Sequence, residues 1–418
     1  MQQKFQRIAM LSTHGYFDPV PMLGRTDTGG QVVYVLELAN AISRQGIPVD
    51  IFTRWFDKTQ AQVNPVPGHP DVRVIRIHSG PWEFMPKETI YDFLPELSEN
   101  MISWVKKNTS GYDLYHGHYV DAGIVTLDVA EALNKPPFFT AHSLGAWKRQ
   151  QMGGDPVVME KKFNFRHRIS EEQRIFDKVN GHTLTSEVQM EKLEELYEVR
   201  NRNIGIIPPG VDIHRFKPRD TPRENNMDGI PQKYIFCLSR IDTNKGHDFL
   251  LKAFSRVCSE DEQVMLVIGG GSQDPGERER GVFERMHDII RERGMGERVR
   301  MIGYVPDNAL LSWYQNAEMF VLPSLFEPFG MTSQEAMACG KTVVASKFGG
   351  IRNVITDGEN GLLVDPSDEA EFSRAMLRLL RDKALNQTLS EAAYKKIVEE
   401  YSWEAIAGRF LEFYQRYI

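Results

Sequence analysis

The sequence has little cysteine, no long apolar run and no excess of positive charge, and each shortage excludes a class of protein. Its three cysteines, Cys237, Cys258 and Cys339, are scattered without a C-x-x-C spacing, so neither a disulfide framework nor a zinc site is expected. Cys237 and Cys339 lie in apolar segments and read as small buried hydrophobes. No apolar run reaches the roughly 18 residues of a membrane span, and the apolar core of the leading MQQKFQRIAMLSTHG is too short for a signal peptide. A cytoplasmic protein with no membrane partner is expected. A formal net charge of −7 argues against an extended nucleic-acid surface, so any phosphate site must be local. The triplet D-x-D, a common device for holding a divalent ion, occurs nowhere. Neither a metal nor another cofactor is expected, and cationic side chains and amides would have to meet the charge of an anionic ligand.

What is present fits a chain of 418 residues with 41% hydrophobic and 26% charged content. That length suits two domains of about 200 residues better than one core. The pattern is one of apolar strands followed by loops and amphipathic helices. Arg7 to Ser12, Pro48 to Thr53, Val72 to Ile77, Asp113 to Gly117, Pro136 to Thr140 and Asn203 to Ile207 read as strands of a first sheet. A polar stretch with Pro218, Pro222 and Pro231 reads as the linker. Tyr234 to Leu238, Val264 to Ile268, Val299 to Tyr304, Met319 to Leu322 and Val343 to Ala345 then read as strands of a second sheet. Residues 161–176 and 367–400 read as helical, with a last helix reaching Ile418.

The most informative stretch is FVLPSLFEPFGMTSQEAMACGKTVVASKFGG, residues 320–350. It reads as strand, loop and helix. At such a junction in an open parallel sheet, free amides and the positive helix end can receive an anion. Phe329, Gly330, Met331 and Thr332 are placed to present those amides. Glu327 and Glu335, with seven residues between them, could accept hydrogen bonds from sugar and ribose hydroxyls. Taken singly, each is as readily a surface glutamate.

Four other junctions repeat the arrangement. Gly29-Gly30-Gln31 precedes an amphipathic helix whose apolar residues are Val32, Val35, Leu36, Ala39 and Ile42, and there the backbone can approach a ligand. Most glycine pairs are only turns. His142 follows a strand end and points toward the expected cleft, or else packs as a structural histidine. Lys87 follows another strand in a loop, as a phosphate ligand or as surface. Arg240 and Lys245 occupy the first loop of the second sheet, where both could bend over one diphosphate. Arg166, His167 and Arg168 form a cationic cluster on the 161–176 helix; most such runs are solvated, yet arginine suits forked phosphate recognition. The glycines 269–271 do not make a dinucleotide fingerprint, because Asp274 stands where the third glycine belongs.

E-P-F-G, its two spaced glutamates and the later pair Gly349-Gly350 resemble the donor-binding signature of family 4 retaining glycosyltransferases. Residues 12–39, FMPKE (84–88), GHYVDAG (117–123), AHSLGAWKRQQM (141–152), FNFRHRI (163–169), IPPGVD (207–212) and SRIDTNKG (239–246) extend the resemblance to the sucrose-phosphate synthase group. The STHGY opening, the HSLGAWKRQQM run and EPFGMT look closest to its mannosylfructose-phosphate synthase branch.

The resemblance implies the α/β GT-B fold, two Rossmann-like parallel-sheet domains facing across a cleft. It implies an acceptor-binding domain of residues 1–215 with helix 400–418, and a nucleotide-sugar-binding domain of residues 216–399. It implies hexosyl transfer from a nucleotide sugar to fructose 6-phosphate with retention, from GDP-mannose or alternatively UDP-glucose. His142, Arg240, Lys245 and Glu327 would be catalytic. Gly29, Gly30, Arg240, Lys245, Glu327, Phe329, Gly330, Met331, Thr332 and Glu335 would hold the donor; Gln31, Lys87, Tyr119, Lys148, Arg166 and Arg168 would hold the acceptor. The chain carries His167 where that group carries arginine.

No pair of carboxylates of the glycosidase kind is evident, so the expected chemistry is a front-face displacement with no cofactor. No D-x-D-G-T phosphatase segment follows, so a separate phosphatase is an expected pathway partner. The rival readings are a nucleotide-sugar epimerase of the same shape and a silent nucleotide-sugar sensor.

Overall fold

The structure, a computed structural model, describes residues 5–21, 29–220, 229–272, 275–325 and 329–418. The chain divides into two compact units, the first made of Met1–Pro208 and Trp403–Ile418, the second of Pro209–Ser402.

The first unit runs β1 (Ile8–Leu11), α1 (Gly30–Arg44), β2 (Val49–Trp55), β3 (Val63–Val66), β4 (His69–His78), α2 (Leu94–Asn108), β5 (Leu114–His118), α3 (Val120–Leu133), β6 (Pro137–Thr140), α4 (Gly145–Met152), α5 (Pro156–Phe163), α6 (Phe165–Lys178), β7 (Gly181–Leu184), α7 (Glu187–Leu196) and β8 (Ile204–Ile206). The second runs β9 (Tyr234–Leu238), α8 (His247–Glu260), β10 (Met265–Gly269), α9 (Glu277–Glu292), β11 (Val299–Gly303), α10 (Asp307–Asn316), β12 (Met319–Leu322), α11 (Met331–Ala338), β13 (Val343–Ser346), β14 (Leu362–Val364), α12 (Glu369–Arg381) and α13 (Lys383–Glu400). Helix α14 (Trp403–Tyr417) returns to the first unit.

Each unit holds one sheet. The first has strand order β3-β4-β2-β1-β5-β6-β7-β8, and the second β11-β10-β9-β12-β13-β14. All pairings are parallel except the edge pair of β3 with β4. Helices cover both faces of such a sheet, so its central strands are apolar throughout rather than alternating. Strands β1, β12 and β13 are buried at every position. The order reverses between β1 and β5 in the first unit and between β9 and β12 in the second, and the carboxyl ends of those strands are where a doubly wound sheet opens a crevice.

Several elements differ from the sequence expectation. The helix expected over 161–176 is two helices, broken at Asn164, which adopts the left-handed conformation (φ 49°, ψ 45°) between α5 and α6; asparagine tolerates this better than most residues. The helical run 367–400 is likewise interrupted at Asp382, whose carboxylate accepts from Leu385 N and starts α13. Strands β3, β7 and β14 were not expected. Pro65 makes β3 a poor strand by sequence, and it pairs only at the sheet edge, where proline is tolerated.

Residues 209–215, assigned by sequence to the first domain, pack into the second unit. Val211 and Phe216 lie in one core with Tyr234 and Phe236, and Val211 N donates to Tyr401 O at 2.9 Å. Helix α14 lays Phe410 and Tyr414 into the core of the first unit with Ile8, Val35 and Phe138. Gly181 and Gly205 make room for it, since a Cβ on either would stand 2.8 or 2.9 Å from the Phe413 ring. Cys237 and Cys339 are buried thiols, as their apolar settings imply. Among the described residues no helix is long and apolar enough to cross a membrane.

Candidate functional site

In the second unit the loops after β9 and β12 are brought together by close backbone contact. Leu325 N donates to Asn244 O at 3.0 Å. Gly246 has φ +70°, and a Cβ there would sit 2.2 Å from Pro323 O, so only glycine permits the approach. Behind them Gly270 is pressed on Ser239, where a Cβ would meet the carbonyl oxygen at 1.8 Å. Both cations are carried by the β9 loop. Arg240 is exposed and makes no ion pair among the described residues. Lys245 ends a 3-10 turn and is only 5% exposed. Burial and then the Lys245 charge hold the His247 imidazole down to about 4; its Nε2 lies 3.0 Å from Ser239 Oγ.

Helix α11 follows the β12 loop. Its N-cap is Gly330 in the left-handed conformation (φ 88°), and no side chain among the described residues caps it. The amides of Met331 and Thr332 begin the helix at the positive end of its dipole. Phe329 anchors the turn in the core, at 5% exposure. Further along, Glu335 accepts from Tyr314 OH at 2.7 Å. One edge of Glu335 stays accessible, yet burial pushes its carboxyl up to about 7 despite the Tyr314 bond and nearby Arg215. Glu327, with its neighbours 326 and 328, lies outside the described residues. Several buried polar atoms here have no partner: Ser324 Oγ, Ser333 Oγ, Asn244 Oδ1 and both amide atoms of Gln334. Uncapped amides beside two cations suit a diphosphate, and a carboxylate one turn on suits hydroxyl donors.

In the first unit the corresponding ends are those of β1 and β5. From β1 come Thr13 and His14; from β5 come His118 and Tyr119. Asp121, on the first turn of α3, accepts from Thr13 Oγ1 and lies 2.9 Å from His14 Nδ1. Burial works against its charge, but His14 and then Thr13 hold the carboxyl below its usual range. The N-terminus of α1 carries Gly29 and Gly30, both exposed, with no side-chain cap. A Cβ on Gly29 would meet nothing within 4 Å, so nothing in the protein's own packing demands glycine there. Gln31 donates from Nε2 to Ser12 Oγ and to His118 O, each at 3.2 Å. Both of its donors are thus engaged by protein, leaving its carbonyl for a ligand.

His142 follows β6 with a left-handed backbone, φ 56°, which costs a non-glycine residue on the order of 1–3 kcal/mol unless its surroundings impose it. Its carbonyl accepts from Gln189 Nε2 at 3.1 Å, its Nε2 is 2.9 Å from His118 Nδ1, and Tyr34 packs edge-on at 4.8 Å. Burial, then the nearby His14, hold its imidazole down to about 3, so the ring is neutral at pH 7.

Four of the six expected acceptor ligands, Lys87, Tyr119, Lys148 and Arg168, line one recess with Tyr91 and Phe165. It is narrow, ≈ 10 Å³, about the space one water needs. Arg168 is not a free guanidinium. It is 3% exposed, donates from Nε to Glu172 at 2.8 Å and from Nη2 to Ser143 O and Oγ at 2.9 Å, and lies over the Tyr119 ring. Burial opposes its charge, and Glu172 more than restores it. Glu172 also accepts from Gly145 N and Tyr197 OH. Arg166 and His167 are exposed on α6 and do not line the recess; His167 packs edge-on against Tyr91.

Sequence reasoning did not single out His14, Asp121, His118, Glu172, Tyr197 or Tyr314. His14, His118 and Asp121 lie within quoted segments at strand ends, where the signal existed. Glu172 and Tyr314 are interior helix positions whose role depends on tertiary contact alone. Among the described residues no group of three or more His, Cys, Asp or Glu side chains is arranged to hold a metal.

Known proteins match both units of the chain. Residues 28–215 match Glycosyltransferase Family 4 and residues 220–396 match Glycosyl transferases group 1; residues 3–50 match the first GT-B domain of sucrose synthase. The chain is 36% identical to mannosylfructose-phosphate synthase of Agrobacterium fabrum, over 98% of this chain and 91% of that one. It is 32% identical to D-inositol 3-phosphate glycosyltransferase of Corynebacterium jeikeium, over 98% and 96%. Among solved structures, sucrose-phosphate synthase from Thermosynechococcus elongatus superposes with a TM-score of 0.79 at 29% identity, covering 98% of both chains. Anabaena HepE in complex with UDP-glucose, at 18% identity and TM-score 0.68 over 98% and 99%, shares the fold. The chain belongs to the group 1 glycosyltransferases of family 4, enzymes of the GT-B fold.

Proposed function

We propose that this enzyme moves a hexosyl group from a nucleotide sugar to fructose 6-phosphate with retention of configuration, as a mannosylfructose-phosphate synthase using GDP-mannose. The observation that carries the reading is the lining of the first unit's narrow recess, where Lys87, paired with Glu88, and Lys148 stand beside Tyr119 and the buried Arg168. Two lysines there suit the phosphate group of an acceptor, not the enclosure of its whole sugar. The relatives' names, mannosylfructose-phosphate synthase and D-inositol 3-phosphate glycosyltransferase, point the same way. A second reading, sucrose-phosphate synthase with UDP-glucose, is favoured by the likeness to the Thermosynechococcus enzyme.

In this mechanism the second unit holds the donor. Arg240, Lys245 and the amides of Gly330, Met331 and Thr332 meet the diphosphate, Glu335 accepts from the ribose, and Glu327 with Phe329 holds the hexose. Gly29 and Gly30 lie against the donor phosphates and His142 against the transferred sugar. The first unit holds the acceptor through Gln31, Lys87, Tyr119 and Lys148; Arg166, exposed on α6 away from the recess, is left out of this role. Arg168 is committed to Glu172 and Ser143, so its part is the positive charge it places on Tyr119. The anomeric carbon–phosphate bond breaks and the new glycosidic bond forms on the same face, while the acceptor hydroxyl gives its proton to the departing phosphate oxygen. The protein supplies charge stabilisation and positioning. A separate phosphatase then acts on the phosphorylated product.

The test is a panel of GDP-mannose, GDP-glucose, UDP-mannose and UDP-glucose, each with and without fructose 6-phosphate, scored by release of nucleoside diphosphate. Release that needs the acceptor, greatest with GDP-mannose, is expected. Interconversion of donor epimers without release would mark an epimerase, and binding without turnover a sensor.

A further inference from the structure

The first unit carries a buried histidine that the reaction as described does not use. His118, at the carboxyl end of β5, is fully buried. Its ring lies 4.2 Å from that of His116, its carbonyl accepts from Gln31, and its Nδ1 meets His142 Nε2 at 2.9 Å. Its other nitrogen, Nε2, is buried with no partner. His142 keeps one edge open, and its Nδ1 is not among the buried unpartnered atoms.

Both rings are held well below their usual pKa by burial, so each carries one proton, and the bond between them couples the two tautomers. If His118 is protonated on Nε2, an N–H donor is orphaned in the core, the rarer and costlier defect. If it is protonated on Nδ1, the orphan is a bare lone pair and His142 must carry its proton on Nδ1. We propose that His118 is a positioning residue that donates Nδ1–H to His142 Nε2, fixing His142 as the Nδ1–H tautomer and turning that N–H outward as a hydrogen-bond donor to the ligand. The strained backbone of His142 supports this role. Carbonyl, ring nitrogen and ring edge are each held by a different residue, which is the over-determination that a preorganised site requires. Because His118 O also takes the Gln31 amide, the same residue fixes two of the expected ligand contacts. The catalytic consequence rests on the transferase reading above; the tautomer does not.

The experiment uses the full chain labelled with ¹⁵N-histidine, with long-range ¹H–¹⁵N correlation at pH 7.5 and ring assignments from single His→Gln variants. Protonated Nδ1 on both His118 and His142 is expected; protonated Nε2 on His142 overturns the proposal. This arm needs no turnover, so it stands even if no donor is transferred. In transfer assays H118N, whose amide nitrogen stands near the Nδ1 position, keeps kcat close to the parent. H118L lowers kcat about tenfold, the worth of one lost hydrogen bond. Equal losses in the two variants, or none in H118L, contradict the positioning role. A variant that does not fold leaves the tautomer measurement on the parent chain decisive.

Discussion

The two units differ in how they hold the charged groups at a strand switch point. In the first, the charged groups are satisfied within the protein, Arg168 by Glu172 and Ser143 and Asp121 by His14 and Thr13, and the neutral Gln31 amide is held by Ser12 and the His118 carbonyl. In the second, Arg240 extends to solvent. Among the described residues, helix starts without a side-chain cap, α1 and α11, and buried polar atoms without a partner occur in both units, the latter at His118 and His182 in the first and at Ser324, Ser333 and Gln334 in the second. A site whose parts already hold one another selects a ligand by shape at little reordering cost. One with a cation open to solvent gains most when an anion arrives to pair with it.

The largest expected effect breaks the second unit's half. Lys245→Ala lowers kcat by about 10²- to 10³-fold, the range for loss of one preorganised charge-stabilising donor, with thermal stability little changed; near-parent turnover in single-turnover assays removes Lys245 from the reaction. In the first unit the largest effect falls on stability. Glu172→Ala leaves Arg168 buried without its carboxylate, and urea unfolding should show a loss of about 3–5 kcal/mol.

Acid sharpens the contrast. His116, His118 and His182 are buried, His142 is half-buried, and all four are held well below 6.5, so between pH 6.5 and about 4 the unfolded chain binds more protons and the first unit loses stability as pH falls. Glu335 works in the opposite sense. Its folded pKa is raised to about 7 from 4.5, so its contribution is full below pH 4.5 and is lost as pH rises to 7. Hydrogen exchange at pH 5 and pH 7.5, read separately for each unit, should show the first unit weakened more by acid.

Smaller changes follow. Tyr314→Phe removes the bond to Glu335, worth about 1 kcal/mol, and should raise KM for the nucleotide sugar several-fold while leaving KM for the acceptor unchanged. Gln334→Leu, which replaces an unpaired buried amide by an apolar side chain, should stabilise the ligand-free second unit by about 1 kcal/mol in thermal melts. A loss of stability there would show that the amide is paired.

The sheets and their strand ends were legible because central parallel strands are continuous apolar runs, as Tyr234–Leu238 and Met319–Leu322 show. The loops that follow them carry the glycines and charged residues that mark a site. What sequence did not convey was pairing at a distance. Nothing in the helix from Phe165 to Lys178 says that Arg168 is spent on Glu172 and a loop carbonyl rather than offered to solvent, because a cationic cluster looks alike whether exposed, as at Arg166 and His167, or buried. Nor does a strand-end histidine disclose that its ring meets that of another histidine at the end of the neighbouring strand. The break at Asn164 was visible in principle, since asparagine is a common left-handed stop, but the flanking charge pattern concealed it.

The most direct measurement is hydrogen exchange on the intact chain with GDP alone and with fructose 6-phosphate alone. The account predicts that GDP protects the β9 loop and α11, around residues 239–246 and 329–335, while fructose 6-phosphate protects residues 85–88, 119–123 and 143–148. Protection by GDP confined to the first unit, or by fructose 6-phosphate confined to the second, would contradict it.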